Sequence, residues 1–261
     1  MAMTDFAALM DEVQRRPTRG WDFTWLAGRM TSDELPWDFA NIVDELAQAS
    51  PDLLDLGTGG GEWLAHLPTR PPRTVATESW SPNVVVARHR LEPLGIEVLE
   101  VDGAPDNNDQ FGEVDCSLPF DDGEFHLVSC RHESFVAREV ARILDHGGRF
   151  ATQQVGDGLF RDVRALFEVA PPPLPALTGA MLREQVVAAG MQVVESGESV
   201  QTVRFHDVGA LAWYLTMTPW TVPGFDVVTM RDALARLHRH IKEEGPLRIQ
   251  QPSAYLVARR P

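Results

Sequence analysis

The segment Asp55-Leu56-Gly57-Thr58-Gly59-Gly60-Gly61-Glu62 constrains this chain more than any other. It continues a short apolar run, DLLDL at 52–56, that ends in a cluster of glycines. A run this short, bounded in this way, predicts a buried parallel strand. Glycines at a strand-to-helix turn permit a tight bend and let a ligand come close to the backbone. In an open α/β sheet, ligands bind at the carboxyl ends of the strands, so the loop falls at the binding edge.

The rest of the chain repeats the same rhythm. Strands are expected at TVATE (74–78), IEVLEV (96–101), FHLVSC (125–130), RFATQQV (149–155), MQVVESGESV (191–200) and SAYLVAR (253–259). Helices are expected between them. One has Ser81 as its cap and Pro82 in its first turn, and stops at Gly95. One carries Val136, Val140, Ile143 and Leu144 and ends at Gly147-Gly148. One is capped by Thr178 and closed by Gly190. Residues 1–48 read as a helical segment, with Phe6, Leu9, Met10 and Val13 at helical spacing and a second helix starting near Pro36. Residues 206–243 are mainly helical, interrupted at Pro219 and at Pro223-Gly224. The expected fold is α/β: a Rossmann-like, mostly parallel seven-stranded sheet with helices on both faces. A helical N-terminal lid segment (1–48) is expected before a binding domain of residues 49–261, which carries a helical cap insertion at about 206–248 before the last strand.

A dinucleotide and S-adenosylmethionine compete for such a loop. A dinucleotide fingerprint, G-x-G-x-x-G counted from Gly57, needs glycine at position 62, where this chain has Glu62. A carboxylate at the helix N-terminus would repel a pyrophosphate. S-adenosylmethionine has no phosphate and carries a sulfonium and an ammonium, so acids at Asp55 and Glu62 suit it. Glu78 ends the second strand, where a carboxylate can accept hydrogen bonds from both ribose hydroxyls. Either cofactor would use it.

Charge narrows the partners. The formal net charge is −15, whereas nucleic-acid binding draws much of its affinity from phosphate neutralisation by a basic face. A small-molecule acceptor is expected, and nucleic acid is disfavoured. The two cysteines, Cys116 and Cys130, form no C-x-x-C pair, so no zinc site is expected. With no secretory signal or long apolar run, they suggest a reducing, cytoplasmic setting. No membrane partner is expected, and the sequence leaves the oligomeric state open.

Several segments resemble class I S-adenosylmethionine-dependent methyltransferases, in particular the type 11-like small-molecule branch. DLLDLGTGGGEWL resembles that family's first motif and VATESWSPNVVVARHRL its second. VDCSLPFDDGEFHLVSCRHESF resembles the segment leading into the fourth strand, with His126 where the family usually has Asp. EVARILDHGGRFATQQV resembles the helix, glycine turn and fifth strand. The resemblance implies that Asp55, Gly57, Thr58, Gly59, Gly61 and Glu62 line the methionine and ribose side. It implies that Glu78 holds the ribose, and that Ser79 and Trp80 pack beside the adenine. Either Asp102 or Asp115 would meet the adenine amino group. The implied cofactor is S-adenosyl-L-methionine, with S-adenosyl-L-homocysteine as product.

Methyl transfer is a displacement at an already activated carbon, so much of the catalysis can be positioning, with proton removal where the nucleophile needs it. Arg131, His132 and Glu133 follow the fourth strand, at the pocket rim. Arg131 is read as a cofactor-side residue. His132 is the candidate general base, because imidazole titrates near neutrality. Of Gln153 and Gln154, one is expected to face the substrate and the other to be buried or paired with backbone. Trp21, Phe23, Trp25, Trp213, Tyr214 and Trp220 form either a lid over the acceptor or the cement of peripheral helices. Met217-Thr218-Pro219-Trp220 resembles an element of a ribosomal-RNA guanine methyltransferase. An RNA methyltransferase and a noncatalytic cofactor-binding regulator are therefore the alternatives to a small-molecule methyltransferase.

Overall fold

The computed structural model describes residues 6–16, 21–104, 117–156, 158–171 and 177–261. In chain order the elements are helix α1 (Phe6–Arg15), strand β1 (Met30–Ser32), α2 (Phe39–Gln48), β2 (Asp52–Leu56) and α3 (Glu62–His66). Next come β3 (Arg73–Glu78), α4 (Ser81–Leu91), β4 (Glu97–Glu100), β5 (Phe125–Arg131), α5 (Ala137–Ile143) and β6 (Leu144–Val155). The chain continues with α6 (Gly158–Leu166), α7 (Gly179–Ala188), β7 (Gln192–Phe205), α8 (Val208–Met217), α9 (Arg231–Glu244) and β8 (Leu247–Arg259). Asp115 and Cys116 lie outside the described residues.

The chain divides into two compact units. The larger comprises residues 35–156, 177–199 and 253–261, and the smaller residues 1–34, 157–176 and 200–252.

Seven strands run in the order β7-β8-β6-β5-β2-β3-β4, with residues 200–205 of β7 and 247–252 of β8 belonging to the smaller unit. β2 pairs in parallel with β3 on one side and β5 on the other, and β3–β4 and β5–β6 are also parallel. β8 runs antiparallel to β6. All seven strands expected from the sequence are present. β2 therefore stands at the point where the strand order reverses, and its carboxyl end opens into the glycine loop. In sheets of this type the crevice for a ligand lies at that point.

Alternation explains why the strands read as unbroken apolar runs. Leu54, Leu56, Val75, Val128 and Phe150 pack into one cluster with Val140 and Ile143 of α5 and Leu182 and Val186 of α7. Leu53, Ala76, Leu127 and Ala151 pack into another with Phe39 and Val43 of α2, Leu64 of α3 and Leu91 of α4. Successive residues point to opposite faces, and both faces are covered by helices. Each fully buried Leu, Val or Phe contributes about 1.5–3 kcal/mol relative to exposure.

Local signals hold with two exceptions. Thr178 accepts from the Met181 amide at 3.2 Å, and Asp38 caps α2 through the Asn41 amide at 3.2 Å. Gly95 and Gly190 end their segments with positive φ. Ser81, however, lies inside α4 and does not cap it; its hydroxyl donates to the Glu100 carboxylate instead. Gly147-Gly148 does not terminate α5 either. That helix ends at Ile143, and β6 starts at once, with Gly147 at φ 80° absorbing a bend inside the strand.

The smaller unit has its own core. α1 contributes Leu9, Met10 and Val13, α8 contributes Leu211, Trp213 and Leu215, and α9 contributes Leu234 and Leu237. The short β1, which the sequence did not announce, pairs antiparallel with Val203–Phe205. The aromatics outside the motifs pack on one another here. Trp25 meets Trp213 at 5.3 Å, Phe23 meets Trp213 at 6.0 Å, and Trp21 meets Trp220 at 5.6 Å between ring centroids. The Arg29 guanidinium lies 3.7 Å from the Trp25 ring and pairs with Asp207 at 2.6 Å. Trp213, Phe23, Trp25 and Tyr214 belong to this core, whereas Trp220 is 51% exposed.

Candidate functional site

The glycine loop closes on itself through the backbone of β3. The Thr58 amide donates to the Thr77 carbonyl at 2.8 Å, and the Gly57 amide to Thr77 Oγ1 at 3.3 Å. Gly57, Gly59 and Gly61 all have positive φ. At Gly57 there is a second reason for glycine: a Cβ would overlap the Glu133 side chain. At Gly61 a Cβ would overlap Leu91, so that glycine lets α3 and α4 pack closely.

A cleft opens beside this loop. Its lining includes Leu56, Gly57, Glu78, Ser79, Asp102 and Glu133, with Phe135 and Val136 on the apolar side. Of the expected cofactor residues, Gly57, Glu78, Ser79 and Asp102 are in this lining; Asp55, Thr58, Gly59, Gly61, Glu62 and Arg131 stand behind or beside it. Asp115 cannot be placed against Asp102, because it lies outside the described residues. Trp80 is 51% exposed and does not line the cleft.

Glu78, 4% exposed, is held rigidly. Its Oε1 accepts from the amides of Ser79 at 3.1 Å and Trp80 at 2.9 Å, and the Gly59 amide also donates to the carboxylate. Burial raises its pKa against these bonds. An ionised carboxylate offers about four acceptor positions, so capacity remains for a ligand hydroxyl. Asp55 is a supporting residue. It is 2% exposed, accepts from Ser129 Oγ at 2.7 Å, and has its pKa pushed up to about 6 by burial. Glu62 lies against the Gly60 backbone and pairs with Arg90 at 2.6 Å. Arg90 offsets its charge in part, Glu62 still raises the Glu78 pKa, and the case against a dinucleotide gains from a further carboxylate.

Glu133 provides one. The sequence placed it at the rim without a role, and the structure puts its side chain in the cleft against Gly57. Burial, then the Glu78 charge, push its pKa up to about 7. Glu78, Asp102 and Glu133 together make the cleft acidic, and its lining includes no Lys or Arg. Only the close approach to Gly57 reveals Glu133, and no spacing rule in the sequence encodes that contact.

His132 sits where β5 ends, in a distinctive local geometry. Its backbone is left-handed at φ 65°, and its amide donates to the Gln153 carbonyl at 2.9 Å. Its Nε2 lies 3.1 Å from Gln153 Nε2. The ring is exposed to water, yet surrounding protein and then the Arg131 charge push its pKa down to about 3. This environment favours the neutral ring. Both glutamines are buried. Gln154 donates to the Glu133 carbonyl at 2.9 Å, which is the backbone pairing expected of one of them.

The segment entering β5 is clamped by α5. Arg142 donates to the carbonyls of Leu118 at 3.0 Å and Phe120 at 2.7 Å, while Glu139 accepts from the Leu118 amide at 2.9 Å. Arg142 lowers the pKa of Glu139 by direct hydrogen bonding.

Comparison with solved structures places the fold. A protein of Bacillus halodurans C-125 described as a methyltransferase shares 19% identity over 86% of this chain and 99% of its own, with a TM-score of 0.60. Geranyl diphosphate methyltransferase, solved with geranyl diphosphate and sinefungin, shares 14% over 85% of this chain and 77% of its own, TM-score 0.50. The cyclase SpnF shares 16% over 98% of this chain and 92% of its own, TM-score 0.50. No family model matches the sequence, and no curated relative does. The architecture is that of class I S-adenosylmethionine-dependent methyltransferases, the fold expected from the motifs.

Proposed function

We propose that the protein is an S-adenosylmethionine-dependent methyltransferase acting on a small molecule. The observation that carries this reading is the acidic cleft at the glycine loop, lined by Glu78, Asp102 and Glu133. Carboxylates attract the cationic sulfonium and ammonium of S-adenosylmethionine and repel a pyrophosphate. Glu78 would take the ribose hydroxyls, Gly57 would give the ligand close access to the backbone, and Asp102 would meet the adenine. When bound, the cofactor supplies an activated methyl group; the residues of the chain orient it and exclude water. A nucleotide-loving surface is disfavoured by the net charge of −15. That the cyclase SpnF shares the fold keeps a reading without methyl transfer in play.

The test is incubation of cell-extract metabolites with methyl-labelled S-adenosylmethionine and the purified protein. Transfer of label to a small organic product is expected. Label found only in RNA, or cofactor binding with no transfer to any fraction, would overturn the proposal.

A further inference from the structure

The hydrogen bonds around His132 fix more than its position. Trp37 Nε1 lies 2.8 Å from Gln153 Oε1. An indole N–H can only donate, so the atom it meets on Gln153 must be the carbonyl oxygen. The other end of the amide, NH2, then faces His132 Nε2 at 3.1 Å. A donor faces that nitrogen, so Nε2 holds a lone pair. The remaining proton of the neutral ring is on Nδ1. The opposite arrangement would set two donors against each other at Trp37.

The indole is itself held. Its ring lies 4.8 Å from the ring of Tyr255, which β8 places opposite Gln153 in the β6–β8 register. The Tyr255 hydroxyl donates to Glu195 at 2.5 Å. Gln153 is buried at 5% exposure, and the His132 amide is tied to its carbonyl. A chain of oriented groups thus runs from β8 to the carboxyl end of β5, beside the glycine loop.

We propose that Trp37 and Gln153 are positioning residues that lock His132 as the neutral Nδ1–H tautomer, so that the ring serves the methyl-transfer site as a hydrogen-bond donor and not as a base through Nε2. The group it meets must then accept a hydrogen bond, as a carboxylate, phenolate or carbonyl oxygen does. This role rests on the methyltransferase reading, whereas the tautomer does not.

The test uses the full chain labelled with 15N-histidine and long-range 15N–1H correlation, with His132→Asn identifying the signals among eight histidines. His132 should show a protonated Nδ1 and an unprotonated Nε2, unchanged from pH 8 to about 5, below the usual imidazole pKa of about 6.5. Trp37→Phe frees the amide to turn and should give a mixture of tautomers. Gln153→Glu presents an acceptor to Nε2 and should move the proton there. A protonated Nε2 in the wild type, titration near 6.5, or a tautomer indifferent to both substitutions would overturn the relay. If Trp37→Phe does not fold, Gln153→Glu decides. A labelled acceptor whose polar groups are all cationic would overturn the donor role. A fixed Nδ1–H tautomer in a protein that transfers no methyl would leave the relay standing and sink the enzymatic reading.

Discussion

Glu78 and Glu133 face the same cleft, and their carboxylates are held differently. Glu78 is anchored by backbone amides at the end of β3. Charge-assisted hydrogen bonds are worth roughly 1.5–3 kcal/mol each, so Glu78→Ala should weaken S-adenosylhomocysteine binding at least about tenfold in calorimetry while circular dichroism is unchanged. An unaltered affinity would remove Glu78 from the site. Glu133 is half-buried beside that charge, and its pKa is raised from 4.5 to about 7. The folded state then holds its proton more tightly than the unfolded state. The stability this gives is present below the unfolded value and is lost as pH rises from about 4.5 through about 7. Glu133→Gln, which cannot ionise, should raise Tm relative to wild type at pH 8 and change it little at pH 4.5. Equal Tm differences at both pH values would show that burial does not act on this carboxylate.

Among the elements, the parallel core was legible because both faces of its strands are buried and each ends in turn chemistry. β2 falls at 52–56 as the apolar run predicts, and the Thr178 cap forms as its position suggests. The site was legible where it depends on chain order: the glycine loop, Glu78 and Asp102 follow strand ends. It was illegible where it depends on contacts between distant segments. Nothing in the sequence links Trp37 to Gln153, pairs Glu62 with Arg90 or aims Glu133 at Gly57. β1 is only three residues long and partly exposed, too short for alternation to show. The clamp between α5 and the Leu118–Phe120 segment is a further contact of this kind. Arg142→Ala removes four side-chain partners at once: Leu118 and Phe120 carbonyls, Glu139 and Asp122. Because Arg142 is part-exposed, water replaces some of these bonds, and a loss of about 1–3 kcal/mol is expected in urea denaturation. No loss would mean that the Glu139–Leu118 amide bond and the packing of Phe120 on Phe125 hold the segment without Arg142.

At the scale of the whole molecule, the net charge of −15 sets what it meets. Retention on an RNA column at about 0.15 M salt should be absent, and salt-dependent retention would favour the RNA reading. Among the described residues no helix is long and apolar enough to cross a membrane. The smaller unit is built around its own core and holds the tryptophan-rich segment. For the lid proposed from the sequence at 1–48 and 206–243, amide exchange in both segments should slow when S-adenosylhomocysteine is added; identical exchange would leave them as scaffold. The central claim is that the cleft beside Gly57 takes S-adenosylmethionine. Isothermal calorimetry of the wild-type chain with S-adenosylmethionine, S-adenosylhomocysteine and NAD tests it most directly. The account predicts that the first two bind and that NAD binds far more weakly. NAD binding as tightly as either would contradict it.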